Sequence, residues 1–227
     1  MFNLDDILSA ARPQPVLIDK SQALPGRQEA LELDYEHAVL KTSFQLPPEK
    51  EGLTYCLLGM GCFWGAERAF WEKDEVYSTA VGYAGGYTPN PTYEEVCSGQ
   101  TGHTEVVLVI FDKEVYPFAR LIADFLELHN PTQGMRQGND RGTQYRSGLY
   151  LIDPKTSSEF ATVAKRLFEE YDHQLGEQDL TLTSEIQLSP SFYYAESYHQ
   201  QYLAKHPGGY CNIQTIQKTG LPALNKN

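Results

Sequence analysis

Apolar segments of strand-like and helix-like pattern follow one another in a fixed order between residues 53 and 152. The order is β-α-β-β-α-β, which is that of the ferredoxin-like, split βαβ unit. We therefore predict an α+β fold, with a ferredoxin-like split βαβ core, one mixed sheet covered by helices, and long N- and C-terminal extensions. The predicted strands are residues 53–60, 76–83, 105–111, 147–152 and 181–188, and the predicted helices are residues 62–73, 93–97, 116–129, 153 to about 175, and 195–205.

The length of the chain fits one sizeable domain better than two. At roughly 150 residues per domain, 227 residues leave room for one domain with extensions. A chain of this size buries roughly 70% of its unfolded surface, so it needs no disulfide or metal to hold a core. We expect a proline-rich N-terminal extension at residues 1–50 that wraps the surface or stays mobile, a catalytic α+β domain at residues 51–205, and a flexible tail at residues 206–227.

Charge and hydropathy exclude two classes of partner. The 30 acidic and 18 basic residues leave a formal net charge of −12, which argues against a surface for nucleic acid. No apolar run approaches the roughly 20 residues of a membrane span, so we expect no membrane partner. The N-terminus opens with acidic residues, unlike a secretory signal, and predicts a cytoplasmic protein. Nothing suggests an obligate assembly, so we expect a monomer.

Four cysteines occur, at positions 56, 62, 97 and 211, and no two of them form a C-x-x-C pair. They are too few for a disulfide scaffold, and their spacing lacks the ligand pair that a structural zinc site needs. We therefore expect neither a metal nor a cofactor. In a reducing compartment a cysteine is either buried and inert or chemically active, and for Cys56, a lone cysteine in a predicted strand, we favour the buried, structural interpretation.

Cys62 lies where the first predicted strand passes into the first predicted helix. Gly61 lets the chain turn, and the free N–H groups of a helix start favour an anion, so we expect a lowered pKa and a nucleophilic thiolate. Phe63 and Trp64 face either a core or a pocket. The alternative interpretation is a buried cysteine beside two core aromatics.

Glu105 begins a strand of Val and Leu residues. If the carboxyl group is buried, burial raises its pKa, and the group can donate a proton near neutral pH. Periodicity alone favours the plainer interpretation, in which Glu105 is the solvent-exposed end of the strand. Tyr93, Asp140 and Tyr145 lie in glycine-rich loops, where binding pockets commonly form. Cys211 follows a Gly-Gly pair in the tail and is either a surface thiol or a partner for Cys62.

These segments resemble the A-type peptide methionine sulfoxide reductases over residues 53–213. The motifs that carry the resemblance are Gly61-Cys62-Phe63-Trp64-Gly65-Ala66-Glu67, Gly82-Tyr83-Ala84-Gly85-Gly86, Pro89-Asn90-Pro91-Thr92-Tyr93, Gly102-His103-Thr104-Glu105 and Gly138-Asn139-Asp140-Arg141-Gly142-Thr143-Gln144-Tyr145-Arg146-Ser147. The resemblance covers most of the chain, and residues 1–52 match the family least well.

The resemblance implies a function for this chain, reduction of the S epimer of methionine sulfoxide in oxidised proteins and in the free amino acid. Cys62 would attack the sulfoxide sulfur and become a sulfenic acid. Cys211 would then form a disulfide with Cys62, and thioredoxin would reduce it.

The resemblance also assigns the remaining site residues. Glu105 would protonate the sulfoxide oxygen, Tyr93 and Tyr145 would donate hydrogen bonds to it, and Asp140 would support the site. Phe63 and Trp64 would enclose the S-methyl group. Donors on one side and aromatic rings on the other suit a sulfoxide, which has a polar oxygen beside an apolar methyl.

Two other functions compete with this one. A thiol hydrolase needs a histidine base oriented on the thiol, and only His103 of the six histidines lies close to a motif. A ferredoxin-like binding module or thiol switch would explain a reactive cysteine but not the glutamate and tyrosines.

Overall fold

A computed structural model describes residues 15–210 and 221–224 of the chain. The strands are β1 (Leu53–Met60), β2 (Val76–Ala84), β3 (Thr104–Asp112), β4 (Arg136–Gln137), β5 (Asp140–Arg141), β6 (Ser147–Leu151), β7 (Glu185–Leu188) and β8 (Phe192–Tyr194). The helices are α1 (Phe63–Trp71), α2 (Tyr93–Cys97), α3 (Phe118–Leu128), α4 (Ser157–Gly176) and α5 (Tyr202–Lys205), with 3₁₀ turns at Lys20–Gln22 and Thr143–Tyr145.

Six of these strands form one sheet in the order β7-β6-β1-β3-β2-β8. The four central strands are antiparallel, and β3 lies between β1 and β2, which are joined through α1. This is the split βαβ arrangement. Strand β7 pairs in parallel with β6, so the sheet is mixed. The predicted fold class is confirmed.

The core lies on both faces of this sheet. Strand β3 is buried along nearly its whole length, which explains its continuous Val, Leu and Ile content. Helices α1, α3 and α4 cover one face with a large apolar cluster, in which Phe118 of α3 stacks on Phe160 of α4 at a centroid distance of 3.8 Å. The other face packs against a smaller cluster that contains Phe44 of the N-terminal extension.

Several element boundaries differ from the prediction. Strand β8 was not predicted, nor was the short β4–β5 hairpin inside the second glycine-rich loop. The predicted helix at residues 195–205 is wrong over its first part, because Gln201 adopts a left-handed backbone with φ +49° and α5 begins only at Tyr202. The last predicted strand begins at Glu185, and α4 begins at Ser157.

The described part of the N-terminal extension lies on the body of the protein. Phe44 is fully buried, the hydroxyl of Tyr194 donates to its carbonyl at 2.9 Å, and Leu24 N–H donates to the carbonyl of Gln100 at 3.0 Å. None of the helices in residues 15–210 has both the length and the apolarity that a bilayer span requires.

Candidate active site

The turn between β1 and α1 depends on a glycine. Gly61 has φ +83°, and a Cβ built on it would lie 2.5 Å from Cβ of Gln137. Only glycine fits both the left-handed backbone and this close approach. The turn makes Cys62 the N-cap residue of α1, so the predicted place of the thiol at a strand-to-helix junction is the place that the structure gives.

The direction of the Cys62 pKa shift is opposite to the prediction. Burial raises the pKa of Cys62, and the carboxyl groups of Glu105 and Asp140 raise it further. The backbone N–H groups of Trp64 and Gly65 at the start of α1 lower the pKa, as a helix start should, but burial outweighs them. In the resting site the sulfur is therefore a thiol.

Glu105 is buried beside the start of α1, with 2% of its surface exposed. Its Oε2 accepts a hydrogen bond from Phe63 N–H at 2.9 Å. Burial raises the pKa of Glu105 to about 8, the Phe63 N–H lowers it, and Asp140 raises it. The interpretation of Glu105 as the solvent-exposed end of the strand is wrong, and the carboxyl carries a proton near neutral pH.

Electrostatic effects connect the remaining predicted polar residues to Glu105. Burial raises the pKa of both Tyr93 and Tyr145, and the Glu105 carboxyl raises each further, so both phenols keep their proton. Asp140 acts on the pKa of Cys62, Glu105 and Tyr145. The structure thus brings Cys62, Glu105, Tyr93, Tyr145 and Asp140 into one site.

Aromatic rings form the apolar side of this site. Phe63 is almost fully buried, and Trp64 is partly exposed at a ring-centroid distance of 6.5 Å. Tyr202 stacks on Trp64 at 3.9 Å with the rings 14° apart. The Trp64 Nε1–H donates to His199 Nδ1 at 3.0 Å, and this bond fixes the orientation of the indole.

Sequence reasoning missed the segment behind this aromatic wall. The ring of His199 lies 5.1 Å from Phe63 and 4.5 Å from Tyr93, and burial lowers the pKa of His199 to about 4, so the ring is neutral. Glu196 accepts from Tyr93 N–H and from the Tyr83 hydroxyl, each at 2.9 Å. The density of Tyr, His, Glu and Gln in residues 193–202 was the available signal.

The other cysteines fall in different surroundings. Cys56 lies in the core and Cys97 is exposed at the end of α2. Cys211 lies outside the described residues. Within residues 15–210 and 221–224, no group of three His, Cys, Asp or Glu side chains is arranged to hold a metal ion.

The histidine that a thiol hydrolase would use is committed elsewhere. His103 accepts at Nδ1 from Gly86 N–H at 3.1 Å, and its Nε2 bonds to the carbonyl of Thr88 at 2.7 Å. Burial lowers the pKa of His103. Because both ring nitrogens bond to loop backbone, this ring holds a loop and does not face a thiol.

Comparison with known proteins agrees with the geometry. A sequence model described as peptide methionine sulfoxide reductase matches residues 54–223. The peptide methionine sulfoxide reductase MsrA of Pseudomonas putida (strain W619) is 54% identical over 213 residues, which are 93% of this chain and 95% of the relative. The MsrA of Rippkaea orientalis is 53% identical over 191 residues, 84% of this chain and 86% of that protein.

Solved structures give the same result. Methionine sulfoxide reductase A of Corynebacterium diphtheriae matches with a TM-score of 0.81 and 43% identity, covering 87% of this chain and 94% of that one. Mxr1 of Saccharomyces cerevisiae in its reduced form matches with a TM-score of 0.62 and 34% identity, covering 71% and 90%. The resemblance seen in the motifs is confirmed, and the protein is an oxidoreductase. Its sequence, its fold and its relatives agree that the chain belongs to the peptide methionine sulfoxide reductase family.

Proposed function

We propose that this reductase acts on the S epimer of methionine sulfoxide with Cys62 as nucleophile and Glu105 as proton donor. In the first step the Cys62 sulfur attacks the sulfoxide sulfur. Glu105 gives its proton to the sulfoxide oxygen, and the thiol proton of Cys62 replaces it on the carboxyl. The oxygen ends on Cys62 as a sulfenic acid, the substrate sulfur gains two electrons, and methionine leaves.

The observation that carries this proposal is the buried Glu105 carboxyl at the start of α1. Its single protein hydrogen bond among the described residues is the one from Phe63 N–H, so Oε1 is free to donate to a substrate oxygen. Because burial raises its pKa to about 8, the carboxyl holds a proton at the pH of the cell. A protonated carboxyl also removes the charge that opposes ionisation of Cys62.

Two phenols and two rings complete the recognition of a sulfoxide. Tyr93 and Tyr145 stay protonated and donate hydrogen bonds to the sulfoxide oxygen, and Asp140 supports the site. Phe63 and Trp64 enclose the S-methyl group. Polar donors opposite apolar rings discriminate a sulfoxide from the methionine product, which lacks the oxygen.

Cys211 would close the cycle in two further steps. Its thiol attacks the Cys62 sulfenic acid, forming a disulfide and releasing water, and a thioredoxin dithiol then reduces the disulfide by exchange. The position of Tyr210, the residue before Cys211, supports this role, since its hydroxyl donates to Asp140 Oδ1 at 3.2 Å.

The wider assignments follow from these steps. We propose oxidised proteins and free methionine-S-sulfoxide as substrates, thioredoxin as reductant, no nucleic acid partner, and a monomer in the cytoplasm. We further propose that residues 1–50 are an N-terminal extension, residues 51–205 the catalytic domain, and residues 206–227 the tail that carries Cys211.

A single-turnover assay tests the assignment of the two cysteines. With each sulfoxide epimer and no external reductant, we expect Cys211→Ser to reduce one equivalent of the S epimer and to accumulate a sulfenic acid, detected by mass spectrometry. We expect Cys62→Ser to reduce none. Turnover by Cys62→Ser, or equal turnover of both epimers, would show the proposal to be wrong, and reductant-free peptide cleavage would favour the thiol hydrolase.

A further inference from the structure

The N-terminal extension is attached to the loop that carries Tyr93. Leu24 N–H donates to the carbonyl of Gln100 at 3.0 Å, and the Thr88 hydroxyl donates to the carbonyl of Leu24 at 2.9 Å. Arg27 N–H donates to the carbonyl of Pro89 at 3.1 Å. These bonds join residues 24–28, which we call the strap, to residues 88–100, although the family model begins only at residue 54.

Side chains add to this attachment from both sides. The Asn90 amide donates to the carbonyls of Arg27 at 2.9 Å and Gln28 at 3.3 Å. Asn90 has φ +45°, a conformation that these bonds stabilise. The Arg27 guanidinium donates to the carbonyl of Asn90 and, at 2.7 Å, to Glu95 Oε1. Arg27 therefore bridges the start of the loop and α2.

Glu95 is also the residue that caps α2. Its Oε2 accepts from Thr92 N–H at 2.9 Å, and its own N–H donates to the Thr92 hydroxyl at 3.3 Å, which makes a capping box. Tyr93 is the first residue of this five-residue helix. The Glu95 carboxylate thus accepts from Arg27 at Oε1 and from Thr92 N–H at Oε2. The strap is therefore linked to the helix turn that begins with Tyr93.

The strap lies too close to the loop for any side chain at position 26. Gly26 has φ +65°, and a Cβ there would lie 2.2 Å from the carbonyl oxygen of Pro89. Gly52 has a similar φ of +84°, but the nearest atom to a Cβ is Asp112 Oδ2 at 4.0 Å. An alanine at position 52 meets the same backbone strain without the clash, which makes it a matched control.

We propose that residues 24–28 are a positioning segment for the reaction: the strap clamps residues 88–95 and so holds the Tyr93 hydroxyl where the sulfoxide oxygen binds. Arg27 is its key positioning residue and touches no substrate. The inference rests on the proposed role of Tyr93 as a hydrogen-bond donor. A short helix of five residues has little stability of its own, so its geometry depends on such external contacts.

A double-mutant cycle tests this inference. We expect Arg27→Ala to lower kcat/KM for an S-sulfoxide peptide about tenfold in the wild-type background, and less than twofold in a Tyr93→Phe background, since the hydroxyl that the strap positions is then absent. We expect Gly26→Ala to follow Arg27→Ala, and Gly52→Ala to leave kcat/KM unchanged. Arg27→Lys should restore part of the rate, because lysine can pair with Glu95 but cannot also reach the Asn90 carbonyl in a fork.

The outcomes separate the two proposals. An unchanged kcat/KM in Arg27→Ala, or an equal loss in both backgrounds, overturns the positioning role while leaving Tyr93 as a donor. An unchanged kcat/KM in Tyr93→Phe alone overturns the role of Tyr93 and the inference with it. Circular dichroism and thermal unfolding of each variant identify a loss that comes from unfolding, and a variant that is unfolded at the assay temperature is replaced by Arg27→Gln.

Discussion

Two glutamates are buried at helix α1, and they differ in the number of hydrogen bonds that they accept. Glu67, on the helix itself, accepts three hydrogen bonds: from the Thr79 hydroxyl at 3.1 Å, from Gln201 N–H at 2.9 Å and from the Gln201 amide at 2.7 Å. Glu105, beside the helix start, accepts one, from Phe63 N–H. Burial raises the pKa of Glu67 to about 7 and that of Glu105 to about 8.

The comparison shows that burial and a raised pKa do not by themselves mark a catalytic acid. Both groups have these properties, but Glu67 has both oxygens occupied by protein donors. Glu105 has one oxygen left for a substrate. We infer that Glu67 stabilises the fold by joining α1 to β2 and to the segment before α5, and that Glu105 serves the reaction.

Glu105→Gln should slow the reaction more than a change at Glu67, Tyr93 or Tyr145. An amide accepts the same bond from Phe63 N–H but cannot transfer a proton, so the single-turnover rate should fall by about 10²–10⁴-fold. The thermal unfolding midpoint should stay close to that of the wild type. A rate within threefold of the wild type would mean that the proton comes from another group.

Glu67→Gln should have the reverse pattern. The amide NH₂ replaces one acceptor oxygen and meets a donor, so the free energy of unfolding at about pH 5 should fall by about 1–3 kcal/mol. Urea denaturation measures this loss, and the rate of the folded variant should stay within a few-fold of the wild type. If Glu67→Gln is as stable as the wild type but its rate falls steeply, Glu67 takes part in catalysis.

The same variant tests how stability depends on pH. Folding raises the pKa of Glu67 from an ordinary 4.5 to about 7, so the folded state binds more protons than the unfolded state between those values. Stability from this group is therefore full below about pH 4.5 and is lost as the pH rises through about 7. The difference in unfolding free energy between wild type and Glu67→Gln should shrink over that range, and a growing difference would contradict the raised pKa.

Substitution of either phenol should lower the rate less than Glu105→Gln does. Tyr93→Phe and Tyr145→Phe each remove one neutral donor to the sulfoxide oxygen, so each should lower kcat/KM about tenfold, about 1.4 kcal/mol, without loss of stability. The two losses should not simply add, since both donors share one oxygen. If neither variant changes kcat/KM, the oxygen lies nearer to Glu105 alone.

The sequence predicted the elements of the sheet well because apolar runs such as β1 and β3 are long and continuous. The position of Cys62 followed from the same pattern. A strand that is followed by one glycine and then by a helix predicts that the residue after the glycine lies at the helix start. The direction of its pKa could not be predicted, because it depends on a balance among burial, Glu105 and two N–H groups that only the packed site defines.

The missed parts have a common physical cause. Strand β8 and residues 195–201 have no period of their own. Strand β8 is held by pairing with β2, and residues 195–201 accept long-range hydrogen bonds, from Val81 N–H to Gln200 and from Tyr93 N–H to Glu196. The burial of Glu105 was equally undetermined, since its neighbours, such as Phe63 and Asp140, are distant from it in the sequence. Single-sequence patterns carry local preference and lack this tertiary information.

The proposed mechanism depends above all on the protonation state of Glu105. Infrared difference spectroscopy of wild type against Glu105→Gln, recorded across a pH series, isolates the band of this one carboxyl. We expect a protonated carboxyl at pH 7 that ionises with a midpoint near 8. A carboxyl that is already ionised at pH 6 would show that Glu105 is not the proton donor.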